Sequence, residues 1–259
     1  MFVRNKFYLE IFMNHNIVAG LKSVAISFLV GMFFAACGED GKSVNPNDDY
    51  LNPNITYDAM TDSRDNKTYK TVTIGEQTWM AENLNYDPGK GGSGEAKYDW
   101  SWSCNTKSVN RDVAGRLYTW AAAMDSVKTG CGYYVKCSPT KPVQGICPNG
   151  WHLPSLDEWK VLFLAVGGES TAGKVLKSQT GWLDNGNGTD GFGFAALPVG
   201  FWSNDGKFLN DGKLALFWSS TEDHYHNSMY VHLDYDLEEA ALSDRYYKNN
   251  GLSIRCLKN

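Results

Sequence analysis

A chain of 259 residues with a formal net charge of -5 and 42% hydrophobic residues is long enough to bury a sizeable core. It carries no Lys/Arg cluster of the kind that neutralises a phosphate backbone, which argues against nucleic acid as a partner. Nine Trp, fourteen Tyr and 26 Gly favour many turns and an aromatic surface over a helical bundle.

Residues 21–36 form an apolar run behind Lys22 that ends in small residues directly before Cys37. A basic start, a short apolar centre and a small-residue exit describe a secretory signal. Phe34-Ala35-Ala36-Cys37 resembles a bacterial lipobox, with Cys37 the residue that would take the lipid. Met13 gives an ordinary signal length and reads as the true start. The domain reading is therefore a signal peptide over 1–36, a flexible Gly/Asn/Asp/Pro/Ser-rich tether over 37–61, and one domain over 62–259. Glu39-Asp40 after the lipidated Cys looks like the acidic tether of surface-exposed lipoproteins. The expected location is the outer membrane, outside the cytoplasm, with contact to the membrane through the anchor.

Within the domain, Tyr69, Val72 and Ile74 predict a strand, Gly75-Glu76 a turn, and Thr78-Trp79-Met80 the returning strand. Leu117, Trp120, Ala121 and Met124 have helical spacing and predict a short amphipathic helix. The best-specified element follows Pro148-Asn149-Gly150. Ser155 and Glu158 make a capping box, Pro154 keeps Leu153 extended, and Leu156, Trp159, Phe163 and Val166 form one apolar stripe. Gly167-Gly168 is the stop. Two short helices with several short antiparallel strands read as α+β. An exported protein meets an oxidising compartment, so its cysteines are expected to pair. Cys131 and Cys137 enclose a tight Gly-Tyr-Tyr-Val-Lys loop and are expected to pair.

Six stretches then fall in order: TYKTVTIGEQTWMAENLNY, GRLYTWAAAMDS at 115–126, CPNGWHLPSLDEW at 147–159, NGTDGFGFAALPVG at 187–200, FWSSTED at 217–223 and GLSIRCLK at 251–258. Together they resemble the Fibrobacter succinogenes major paralogous domain, a family of secreted and lipid-anchored bacterial proteins. The resemblance implies a C-type-lectin-like, disulfide-stapled fold and leaves the activity unassigned. It also implies a long-range bridge between Cys147 and Cys256. Cys104 is left over, because the stretch before GRLY, where relatives often carry a second Cys, reads NRDVA here.

Several residue sets could carry chemistry. His224, His226 and His232 are the nearest approach to a zinc cluster, against a reading as polar surface groups. Asp184, Asn185, Asn187 and Asp190 resemble a calcium loop in composition but miss the EF-hand spacing, and the same residues suit tight turns. The triplets of calcium-dependent sugar-binding lectins are absent, so that activity is not carried over. Cys147 with His152 could be a nucleophile and base, but the expected disulfide removes the thiolate, and His152 reads as satisfying buried backbone groups beside Trp151.

The stretch from Trp218 to Tyr247 is the most suggestive. Met229, Val231 and Leu233 alternate with Tyr230, His232 and Asp234, so one face reads as core and the other as an aromatic, polar platform. Trp218, Glu222, Tyr225 and Tyr246 are expected to border it. The functional expectation is a non-catalytic, lipid-anchored surface module that binds an extracellular glycan or protein and uses no cofactor. The alternatives are an extracellular enzyme acting on polysaccharide or polypeptide, and a purely structural surface module.

Overall fold

The computed structural model describes residues 50–89 and 100–259. The signal peptide, the lipidation site at Cys37 and the first part of the tether lie outside the described residues. In chain order the elements are β1 (Asp58–Thr61), β2 (Thr68–Ile74), β3 (Gln77–Met80), β4 (Ser101–Ser103), α1 (Arg111–Ala114), β5 (Arg116–Tyr118), α2 (Trp120–Ala123) and α3 (Ser126–Thr129). There follow β6 (Trp151–His152), α4 (Leu156–Ala165), α5 (Glu169–Leu176), β7 (Phe201–Trp202), β8 (Phe208–Leu209), β9 (Leu214–Glu222), β10 (Asn227–Asp234), β11 (Ala240–Tyr247) and β12 (Leu257–Lys258). The larger sheet has the order β1-β2-β3-β12-β6 and the smaller β11-β10-β9, with β4-β5 and β7-β8 as two-stranded pieces. All these pairings are antiparallel. Antiparallel sheets with a few short helices make the domain α+β. No described helix is long and apolar enough to cross a membrane.

The hairpin of β2 and β3 forms as its alternation predicts, with Gly75 in the left-handed region at φ 61°. α4 starts at the predicted capping box: Ser155 Oγ accepts from the Glu158 N–H, and Glu158 accepts from the Ser155 N–H at 2.7 Å. Its buried stripe is Trp159, Leu162 and Phe163, with Leu156 only half-buried. Trp159 packs 4.7 Å from Trp79 and 5.6 Å from Phe217, joining the helix to both sheets. Both expected disulfides are present, Cys131–Cys137 and Cys147–Cys256, and Cys104 is a buried free thiol.

Three expectations are corrected. The stripe Leu117, Trp120, Ala121 and Met124 is not one helix: Arg116–Tyr118 is strand, because Tyr118 exchanges backbone hydrogen bonds with Leu252 and Leu117 pairs with Trp102. Helix begins only after Thr119, whose side chain caps Ala122 N–H. The second substantial helix is α5, whose buried face is built of Ala172, Gly173 and Leu176 and carries few large apolar residues. It lies so close to the β10–β11 turn that a Cβ on Gly173 would come within 2.2 Å of the Glu239 carbonyl oxygen. Finally, residues 50–61 belong to the fold and not to a tether. Tyr50 and Leu51 are buried, Tyr50 donates to Glu82 at 2.7 Å, and Asn52 donates to the Asp190 carbonyl at 2.8 Å.

A buried arginine ties the chain's closing segment to the rest. Arg255 is fully buried and donates to Asn83 Oδ1 and to the carbonyls of Met80, Phe194 and Ala195. Burial pulls its pKa down to about 10, and the nearby Tyr50, Glu82 and Asp190 oppose that shift.

Candidate functional site

The β9–β11 sheet holds every residue of the predicted platform except Tyr225, which lies in the β9–β10 turn, so the sheet's two faces decide which of the others are available. On one face Ala215 and Phe217 of β9 meet Val231 and Leu233 of β10, all within the cluster that includes the helix residues Trp159 and Phe163. On the other face Leu216 and Trp218 belong to a second buried cluster, against which Tyr230 and Tyr246 pack. The sheet is therefore covered on both sides over much of its length. Trp218 is 0% exposed and donates its indole N–H to the Tyr118 carbonyl at 2.7 Å, which makes it a core anchor and removes it from the platform. Met229 is not inward: a register shift between Ser228 and Tyr230 puts Ser228 in the buried position.

Tyr230, His232, Asp234 and Tyr246 form a half-buried ledge. Tyr230 lies 4.7 Å from Tyr246 and 5.7 Å from His232, ring to ring, and Tyr246 closes against Phe201 at 5.5 Å. Burial lowers the His232 pKa, which favours the neutral ring, and its Nδ1 lies 3.1 Å from Ser243 Oγ. Burial raises the Asp234 pKa, reinforced by Asp236. Glu222 is committed elsewhere: its carboxylate pairs with Lys248 and accepts from the Cys137 N–H at 3.2 Å.

Tyr225 alone of the predicted set is exposed, and it belongs to a patch that sequence reasoning missed. The Cys131–Cys137 loop turns tightly, with Gly132 bridged to Val135, and carries Tyr133 and Tyr134. Tyr134 is 61% exposed and sits at φ 63°, a region that bulky L residues occupy only under constraint. Its N–H donates to the Tyr225 carbonyl at 2.8 Å. The His226 ring lies 4.3 Å from Tyr134 and 4.5 Å from Tyr225, and His224 stands 3.9 Å from Tyr225. Five rings from two remote segments thus form one surface cluster, with exposed Tyr247 at the end of β11.

Lys248 holds this cluster from beneath. It is fully buried, and its ammonium donates to the carbonyls of Gly132 and Val135 and to Glu222 while lying 4.3 Å over the Trp120 ring. Burial lowers its pKa, and Glu222 opposes that shift. Its own N–H donates to the His226 carbonyl, so one residue fixes both halves of the patch. The sequence signal for this was a six-position Cys–Cys spacing enclosing paired tyrosines, noted above only as a disulfide.

The remaining candidates resolve into structural roles. No group of three or more His, Cys, Asp or Glu able to hold a metal occurs among the described residues, so His224, His226 and His232 do not converge. Asp184, Asn185 and Asp190 take positive φ as turn residues. Asn187 Oδ1 accepts from the Trp182 N–H, and Asp190 points inward to accept from the Ala195 N–H at 2.7 Å. Cys147 is disulfide-bonded, and His152 bonds side chains and not backbone, with Nε2 2.9 Å from Glu158 and Nδ1 2.7 Å from Asn259. Hydrogen bonds from these partners raise the His152 pKa against the opposing effect of burial. The pair lines a cavity of about 610 Å³ together with Lys141, Ser220 and Lys258.

Fold and surface define a disulfide-stapled α+β domain carrying a preorganised aromatic patch. Residues 72–258 match the Fibrobacter succinogenes major domain, and the chain belongs to that family. No curated protein and no solved structure matches it.

Proposed function

We propose that this chain is a lipid-anchored surface module of C-type-lectin-like architecture that binds an extracellular glycan or protein without catalysis. The observation that supports it best is the Tyr133/Tyr134/His224/Tyr225/His226 cluster. Tyr134, His224 and Tyr225 are exposed and Tyr133 and His226 half-buried, yet a disulfide and the buried Lys248 fix the loop beneath them. Tyrosine gives flat apolar area with a hydrogen-bonding tip at low entropic cost, and preorganisation lowers the cost further. The ledge of Tyr230, His232 and Tyr246 is half-buried, so the binding face moves from the predicted platform to this more exposed cluster.

A glycan and surface-protein array, run with and without calcium, tests the reading. Saturable binding by the intact domain supports it, and silence across the array in both conditions counts against it. The anchor is tested separately. Mass spectrometry of the mature N-terminus should find acylated Cys37, Cys37→Ser should release the domain from membranes, and an unmodified start elsewhere would overturn the assignment.

A further inference from the structure

Resting on the reading of the Tyr134/Tyr225 patch as the binding face, we propose that the Cys131–Cys137 disulfide is a reducible latch on that face, opened by a dithiol reductant. The two disulfides differ in access. Cys131, Cys147 and Cys256 are each 0% exposed within one core cluster, so the difference in access rests on Cys137. Cys137 is half-buried and follows the exposed residues Tyr134, Val135 and Lys136. Thiol–disulfide exchange requires a thiolate to reach one sulfur of the bridge, so a reductant reaches the short loop before the long one.

In the step itself, one thiolate of the dithiol attacks Cys137 Sγ. The mixed disulfide forms, the Cys131–Cys137 bond breaks, and the departing Cys131 thiolate takes up a proton. The second thiol of the reductant then attacks its own sulfur in the mixed disulfide and releases Cys137 as a thiol. The bridge gains two electrons and two protons, and the dithiol leaves as a disulfide.

The patch follows the bond. The bridge closes a loop whose ends are six positions apart. Losing such a cross-link shifts the balance toward open conformations by roughly fiftyfold in the loop-entropy model. Tyr134 at φ 63° favours opening in the same direction. The remaining ties include the Lys248 contact to the Gly132 and Val135 carbonyls, the bond from Tyr134 N–H to Tyr225 and the bond from Cys137 N–H to Glu222. These ties act only while the loop keeps its turn. Opening separates Tyr133 and Tyr134 from His226 and dissolves half of the patch, leaving the core stapled by Cys147–Cys256.

The experiment treats the full chain with dithiothreitol under native conditions. It follows thiols by alkylation and peptide mass spectrometry, and the backbone by hydrogen exchange. The expected result is labelling of Cys131 and Cys137 with Cys104, Cys147 and Cys256 unlabelled, and exchange at least tenfold faster over 132–136 and 224–227. Cys131→Ser/Cys137→Ser should show the same fast exchange without reductant. Reduction of both bridges together, or a reduced loop exchanging at the oxidised rate, overturns the proposal. Exchange reads the latch with no ligand present, so failure of the binding reading shows separately, as an array on which the oxidised protein finds nothing.

Discussion

Replacing Lys248 with Met tests whether a buried cation organises the patch. The lysine side chain is 0% exposed and its partner Glu222 is 11% exposed, so water screens the pair poorly. Lys248→Met preserves length and leaves the Glu222 carboxylate facing its vacated partner, while the Gly132 and Val135 carbonyls lose their donor. Breaking a buried ion pair from one side costs about 3–5 kcal/mol. For a domain of this size that is a fall in Tm of roughly 6–20 °C. Lys248→Met/Glu222→Leu should recover most of the loss, because an apolar pair of similar volume carries no stranded charge. Urea and thermal unfolding of the single and double variants measure this. A single variant within about 0.5 kcal/mol of wild type, or a double variant no better than the single, would refute the clamp.

Two further predictions concern the core. Trp218→Ala should destabilise by about 3–5 kcal/mol as a buried aromatic truncation, whereas Tyr225→Ala should stay within about 0.5 kcal/mol as a surface change. Equal effects in chemical denaturation would contradict the assignment of one to core and the other to surface. Asp190 carries a pH signature, since burial raises its carboxyl to about 7 from an ordinary 3.8. Between those values the folded state keeps a proton that the unfolded state releases, so this group makes stability fall as pH rises from about 4 to about 7 and is level above. Asp190→Asn tolerates the same positive φ and should flatten that slope in urea titrations at pH 5 and pH 8. An unchanged wild-type-minus-variant difference would count against the buried, raised carboxyl.

Local chemistry was the legible part of this sequence. The Ser155/Glu158 capping box, the hairpin around Gly75 and the alternation of Val231 and Leu233 all depend on neighbours within a few residues, and each formed as read. Contacts between distant segments were not legible in local pattern, and the Cys147–Cys256 bridge came only through the family resemblance. Alternation along β10 showed two faces but not that Trp218, held by Tyr118 from a hundred residues earlier, buries part of the second one. Leu117 fitted a helical stripe, yet its pairing with Trp102 of β4 and the pairing of neighbouring Tyr118 with Leu252 outweighed a propensity worth only tenths of a kcal/mol per residue. Residues 50–57 looked like linker by composition, and only the buried surface against Glu82 and Asp190 shows that they dock. Lys248 is a lone lysine in sequence. Its meaning comes from the loop that Cys131 and Cys137 fold back onto it.

The most direct test of the aromatic binding face is a binding titration of the array's strongest ligand against wild type and Tyr134→Ser/Tyr225→Ser, each immobilised in oxidised form. Truncated hot-spot aromatics typically cost about 2 kcal/mol or more, so at least about a thirtyfold loss of affinity is expected, with Tm nearly unchanged. Undiminished binding by the double variant would contradict it and move the binding face off the patch.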